Sequence, residues 1–315
     1  MITRKCLYCY EALENSEKDF HTKCGKSFFG FTPPPLLDVN LSEIESLALK
    51  ILGRSASVTG VQPKLSVDLK KDKKETARLT IVGLWGSYIL KPPYKDFPQM
   101  PENEDLTMKL AENVGIKTAQ HSLIRLKSGE LAYISKRFDR TAKTKLHVED
   151  FAQLLEVLTE RKYSGSVEQV SKGILKYSSF PGNDLINLFE LVLFSFVTGN
   201  ADMHLKNYSL IRDENDDIKL SPAYDLLSTK LLIPEDKEEY ALTINGKKAG
   251  LKRKDFDALA GYMKINEKTL TTIYKKFGSA AEKWFSLINK SFLRQETQTD
   301  FMNLIKQRIS RIELA

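Results

Sequence analysis

The longest apolar run in the chain, residues 185–197, does most to constrain how it can fold. Asn187 and Glu190 interrupt it, and it falls short of the roughly 20 residues a bilayer span requires, so the run is expected as a buried core helix. The residues that follow change character at once, reading Asn200-Ala201-Asp202-Met203-His204-Leu205-Lys206-Asn207. Eighteen residues beyond Asn207 stands Asp225, within Pro222-Ala223-Tyr224-Asp225-Leu226. Taken alone, this stretch also reads as a polar loop after a helix, with Asn and Asp as turn formers.

Its spacing carries a second meaning. Kinase-type phosphoryl transfer uses a carboxylate that orients the attacking hydroxyl, an Asn oxygen on Mg²⁺, and a metal-binding carboxylate from the next segment. Asp202 and Asn207 keep the five-residue interval between the first two, and Asp225 falls where the third belongs.

Composition permits such an enzyme. With 315 residues and 42% hydrophobic content, the chain can bury one large core or two lobes. Lys+Arg 48 against Asp+Glu 41 leaves a net charge of +7, which suits phosphate ligands or an acidic partner. No clustered basic face stands out, so direct nucleic-acid binding is not expected. The run Lys70-Lys71-Asp72-Lys73-Lys74-Glu75 mixes signs and reads as a solvated hairpin tip. The beginning, Met1-Ile2-Thr3-Arg4-Lys5-Cys6, leads into polar sequence rather than an apolar signal core, and a cytoplasmic location is expected.

All three cysteines fall in the first 24 residues. Cys6-x2-Cys9 and His21-x2-Cys24 form two short-spaced pairs, each of a kind that one tight turn can present to a tetrahedral Zn²⁺. Four protein ligands leave no open position, so such a zinc would be structural. The alternative is three reduced thiols in a small N-terminal cap.

Beyond them, Phe31-Thr32-Pro33-Pro34-Pro35 reads as a stiff linker. Residues 41–52 read as a helix whose apolar face holds Leu41, Ile44, Leu47, Ala48 and Ile51, with Asn40 and Glu43 as a capping pair. Segments 65–69, 79–83, 87–91 and 131–138 have strand character, and Gly83-Leu84-Trp85-Gly86 is a turn between two of them. Residues 101–114 read as a helix closed by Gly115. From residue 149 helices dominate, apart from a hairpin over residues 208–220. This order predicts an α+β, two-lobed, protein-kinase-like fold: a Cys/His segment over 1–30, a strand-rich lobe over 31–140 and a helical lobe over 141–315. In such a lobe Lys91, at a strand end, suits nucleotide phosphates, and Glu104 on the lobe's helix is positioned to pair with it. The small-residue loop at 54–64 lacks both G-x-G-x-x-G and the P-loop pattern.

Four segments together, residues 57–64, 137–140, 200–207 and 223–225, resemble the HipA-type serine/threonine kinases of bacterial toxin–antitoxin systems. The resemblance implies ATP and Mg²⁺ as cofactors, Asp202 as catalytic base, and Asn207 and Asp225 on the metal. It implies a nucleotide site drawn from Thr59, Gly60, Val61, Gln62, Lys64, Lys91, Phe138, His204, Lys206, Asn207, Tyr224 and Asp225, with Phe138 at the adenine hinge. It implies autophosphorylation at Ser57, with Thr59 as a second acceptor, that ejects the loop and silences the enzyme. The implied partners are a protein substrate such as an aminoacyl-tRNA synthetase and a helix-turn-helix antitoxin. Larger members begin with an additional N-terminal subdomain. Only a Cys/His segment and prolines precede the core in this sequence, which resembles the compact members whose subdomain comes from a separate small protein. Two other readings stay open: a nucleotide-binding pseudokinase that regulates a partner, and a zinc-dependent nucleic-acid-binding protein.

Overall fold

The computed structural model describes residues 4–52, 63–71, 77–82, 85–141 and 144–314. The chain divides into two compact units. The first comprises Met1–Asp105, Ala119–Phe138 and Lys290–Leu293; the second comprises Leu106–Thr118, Asp139–Asn289 and Arg294–Ala315.

The first unit is organised by an antiparallel sheet of β1 (Leu65–Lys71), β2 (Ala77–Ile81), β3 (Tyr88–Lys91), β4 (His121–Arg125) and β5 (Leu131–Lys136), in the order β2-β1-β3-β5-β4. Along β2 the pattern is that of a half-buried strand, with Ala77 and Leu79 inside and Arg78 outside. Strands β2 and β3 are not neighbours. Both pair with β1, so the connection between them crosses the sheet instead of closing a hairpin. Gly86, at the end of that connection, lies so close to β1 that a Cβ would stand 2.4 Å from the Val67 carbonyl oxygen. Gly83 and Leu84 of the expected turn lie outside the described residues.

Helices α1 (Thr22–Phe29) and α2 (Leu41–Leu52) belong to the same unit, and α3 (Met100–Asn113) begins in it and runs on into the second from Leu106. The Asn40 N–H donates to Glu43 Oε2 at 2.6 Å, the backward half of a capping box at the start of α2. The aromatic core joins α1 to β3, with Phe28 and Phe29 ring centroids 4.7 Å apart and Phe28 set 5.9 Å from Tyr88. The proline segment is no free linker. Leu36, which follows it, takes a place on the β2 edge, donating to the Ala77 carbonyl and accepting from the Leu79 N–H.

The second unit carries a smaller antiparallel sheet of β6 (His147–Asp150), β7 (Ser209–Arg212) and β8 (Ile218–Leu220). Its helices are α4 (Phe151–Leu154), α5 (Val167–Tyr177), α6 (Pro181–Thr198), α7 (Thr229–Leu232), α8 (Arg253–Tyr262), α9 (Glu267–Lys290) and α10 (Gln295–Arg311). The long apolar run is α6. Its Leu188, Phe189, Val192, Leu193, Phe194, Phe196 and Val197 are fully buried. The two polar interruptions are accommodated: Asn187 faces outward, and Glu190 pairs with Lys276 of α9. Trp284 of α9 stands edge-on to Phe194, and its indole N–H donates to the Leu110 carbonyl at 3.0 Å. Among the described residues no helix is long and apolar enough to cross a membrane.

Helix α6 ends abruptly at Gly199, whose φ of 71° is left-handed. A side chain there meets obstruction as well as strain, since a Cβ would lie 2.7 Å from Leu304 Cδ2 and 3.0 Å from Lys230 Cβ. Gly199→Ala should therefore destabilise the protein by about 2–4 kcal/mol, combining left-handed strain with overpacking. A urea midpoint unchanged from the parent would show that the C-terminus of α6 tolerates a side chain after all.

Candidate active site

The loop that leaves α6 is held by its own polar groups. The Asn200 N–H bonds back to the Ser195 carbonyl at 2.8 Å, and its buried side-chain oxygen accepts from the Asp202 N–H at 3.1 Å. Thr229, opening α7, accepts the Ala201 N–H at 2.8 Å. A 3₁₀ turn, Leu205–Asn207, then brings Asn207 back toward Asp202, and the Asn207 amide N–H₂ donates to the Asp202 carbonyl at 2.9 Å. That bond orients the Asn207 side chain with its nitrogen committed to the loop, leaving the amide oxygen as a donor to a hard cation.

The Asp225 segment is tied to the same loop through its neighbour. The Tyr224 hydroxyl donates to the Lys206 carbonyl at 2.9 Å and accepts from the Ser209 hydroxyl at 2.5 Å. Asp225 itself has a left-handed backbone, φ 58°, unusual for a residue with a side chain. The structure thus brings the Asp202–Asn207 loop and the Tyr224–Asp225 segment together. Amide and carboxylate oxygens of this kind match the ligand chemistry of Mg²⁺. Lys206 Nζ lies 3.9 Å from Asp150, and His204 is buried with no hydrogen-bond partner for its Nδ1 among the described residues.

One residue of this site was not foreseen. The Tyr163 hydroxyl donates to Asp202 Oδ1 at 2.6 Å, and its ring meets His204 edge-on with centroids 5.1 Å apart. Tyr163 is 41% exposed, so the contact lies at the surface of the unit. Nothing in the stretch around Tyr163 advertises it, because the partner is 39 residues away.

In the first unit Lys91 and Glu104 come together. Lys91 Nζ is 2.5 Å from Glu104 Oε1, and the two side chains are only 6% and 1% exposed. Lys91 ends β3, while Glu104 rides on α3. Phe138 is half-buried just after β5, where the chain passes from the first unit to the second. Lys64 is exposed beside β1. Ser57, Thr59, Gly60, Val61 and Gln62 lie outside the described residues. The structure also gathers the four N-terminal candidates, with ligand atoms of Cys6, Cys9, His21 and Cys24 all within 4.8 Å of one another.

Two solved structures share this architecture. HipA of Shewanella oneidensis, in a complex of that toxin–antitoxin system with HipB and operator DNA, aligns with a TM-score of 0.65 at 22% identity, covering 81% of this chain and 64% of that one. The Helicobacter pylori proinflammatory kinase CtkA aligns with a TM-score of 0.54 at 16% identity, over 78% of this chain and 95% of that one. The fold is therefore α+β and kinase-like. The model of the HipA-like C-terminal domain matches residues 56–285, and the chain belongs to that family. A relative named putative kinase Y4dM, from Sinorhizobium fredii, is 36% identical over 226 residues. That match takes in 67% of this chain and 54% of Y4dM, so the chain spans about half the length of this curated relative.

Two expectations follow from the side-chain environments. Lys91→Met removes the cation that pairs with buried Glu104 and should cost about 3–5 kcal/mol, whereas the Lys91→Met/Glu104→Leu double variant should regain most of it. Equal losses in the single and double variants would mean that the pair does not act as a unit. For His204, burial holds the imidazole below its ordinary value, with Asp202 pulling the other way. The unfolded chain then takes up that proton first, so stability is full above about pH 6.5 and falls as pH drops below it. Melts of His204→Gln should lose less stability than the parent between about pH 7 and 5; identical acid profiles would remove His204 as a source.

Proposed function

We propose that this protein is an ATP-dependent serine/threonine protein kinase of the HipA type. Asp202 would accept the proton of the acceptor hydroxyl as its oxygen attacks the γ-phosphorus and the bond to ADP breaks. Asn207 and Asp225 would hold Mg²⁺, which neutralises charge on the transferring phosphoryl oxygens. Lys91, held by Glu104, would contact nucleotide phosphates, with Thr59, Gly60, Val61, Gln62 and Lys64 contributing loop contacts. Phe138, His204, Lys206 and Tyr224 would complete the nucleotide site.

The observation that carries this reading is the state of Asp202. Its carboxylate already receives a hydroxyl hydrogen bond, from Tyr163 at 2.6 Å, while its carbonyl orients Asn207. A base that must take a proton from Ser or Thr needs the same kind of contact, so the geometry favours hydroxyl chemistry over a merely structural loop.

The family and the HipA–HipB–operator complex support a toxin role. In that reading the target is a translation component such as an aminoacyl-tRNA synthetase. Control would come from a helix-turn-helix antitoxin. Phosphate on Ser57, or on Thr59, would add about −1.5 to −2 charge beside nucleotide phosphates and expel the loop, so the enzyme would silence itself.

Asp202→Asn should keep its fold and bind ATP yet lose phosphoryl transfer by at least about a hundredfold, roughly 2.7 kcal/mol of transition-state stabilisation. Asp225→Asn should weaken Mg²⁺-dependent nucleotide binding along with activity. Mass spectrometry after incubation with ATP should find phosphate on Ser57 in the parent and none in Asp202→Asn. Near-normal transfer by Asp202→Asn would reject the base assignment, and labelling only outside residues 55–59 would reject self-silencing while sparing the kinase reading.

A further inference from the structure

The N-terminal cysteines stand apart from the phosphotransfer machinery, and the family match begins well after them, at residue 56. Their surroundings are nevertheless built for a ligand. The Lys5–Ala12 bridge closes a tight hairpin, with the Tyr10 N–H on the Cys6 carbonyl at 2.9 Å, and this turn presents Cys6 and Cys9 side by side. Helix α1 presents the other pair, with His21 as its N-cap residue and Cys24 in its first turn.

The decisive group is the His21 ring. Its Nε2 lies 2.9 Å from the Ala12 carbonyl, which can only accept, so Nε2 carries the hydrogen and, in the neutral imidazole that ligates metals, Nδ1 has the lone pair. That lone-pair nitrogen faces two sulfurs, Cys9 Sγ at 3.3 Å and Cys24 Sγ at 3.7 Å. A carbonyl fixing the far nitrogen of an imidazole is the usual outer support of a metal-ligating histidine. Bonds of about 2.3 Å to sulfur and 2.05 Å to nitrogen in a tetrahedron give ligand separations of roughly 3.6–3.8 Å. The two measured S···N distances bracket the lower of these, and the backbone N–H of His21 points at Cys6 Sγ from 3.5 Å. All three cysteines are free, and an odd number of thiols cannot all be consumed by disulfides within one chain.

The knuckle so formed is docked on the rest of its unit. The Leu7 carbonyl accepts the Leu123 N–H of β4, one of the two edge strands of the sheet, and Asp19 pairs with Arg125 of the same strand at 2.9 Å. Tyr10, one residue past the Cys6–Cys9 turn and at φ 68°, donates its hydroxyl to Asp105 Oδ2 at 2.6 Å. Asp105 also receives His121 Nδ1 at 2.6 Å, and its neighbour on α3 is Glu104, the partner of Lys91.

We propose that Cys6, Cys9, His21 and Cys24 bind one zinc ion as a closed structural site, and that the metal-held knuckle fixes α3 through Tyr10. Three thiolates and one imidazole select Zn²⁺ over the oxygen-seeking cations and fill its tetrahedron, so the ion does no chemistry of its own. This assignment stands whether or not the phosphotransfer reading does.

The test uses the full chain purified without chelators. Elemental analysis should give about one equivalent of zinc per chain. Growth in cobalt-supplemented, zinc-depleted medium should give the visible absorption of tetrahedral, thiolate-ligated Co²⁺. Cys9→Ser and His21→Ala should each lose most of the metal. Tyr10→Phe should keep the full equivalent yet raise hydrogen exchange at α3 amides around residues 103–106, as metal removal does in the parent. A chain that is folded with little or no bound metal, or that carries iron instead, overturns the zinc assignment, as does a Cys9→Ser variant with full metal content. Unchanged α3 exchange in metal-replete Tyr10→Phe overturns the coupling to α3.

Discussion

Everything in the second unit depends on how helix α6 leaves the core. A helix buried along Leu188, Val192 and Phe196 cannot simply fade into solvent, because its last carbonyls still need partners. Gly199 solves this in a single left-handed residue, folding the chain back so that its own N–H bonds to Phe196 and that of Asn200 to Ser195. The polar loop begins at once, on a foundation that is already fixed. Asp202 and Asn207 inherit their precision from that apolar anchor rather than from each other alone. The 2.9 Å bond between the Asn207 amide and the Asp202 carbonyl then locks what the helix has positioned.

The first unit relies on a different constraint, the pairing of groups that could not be buried singly. Lys91 and Glu104 neutralise each other, and Asp105 beside them is satisfied on one oxygen by Tyr10 and on the other by His121. Removing one member of such a set leaves a buried charge or polar group whose desolvation is no longer offset, which is why these contacts specify geometry more than they add net stability. Adjacent residues on one helix thus face two tasks, with Glu104 directed to β3 and Asp105 to the N-terminal knuckle.

How much of this could be read from sequence follows the range of the interaction. The five-residue interval from Asp202 to Asn207 is local, so its pattern is visible, as are the Asn40–Glu43 cap and the helix that Gly115 closes. Strand β4 escaped because His121, Ser122, Leu123 and Ile124 are all buried, which erases the alternation that marks a half-exposed strand. The proline segment looked like a spacer because nothing in it reveals that Leu36 will pair with the β2 edge. Tyr10 and Asp105 are 95 residues apart, and a contact of that span leaves no periodic or spacing signal. The Cys/His pairs lie between these extremes: each pair is legible by itself, but their convergence is a tertiary fact.

The Tyr163 contact has a consequence for any hydroxyl that approaches Asp202. One oxygen of that carboxylate, Oδ1, is occupied from within the chain by the Tyr163 phenol, so a hydroxyl directed at that oxygen would meet a resident competitor. A hydrogen bond to a charged group contributes about 1.5–3 kcal/mol, and a hydroxyl that replaced the phenol would make one of the same kind, so the exchange would turn on where the phenol goes next. On the proposed base role of Asp202, the tyrosine would therefore have to move aside, or be bridged, before an acceptor hydroxyl reached Oδ1.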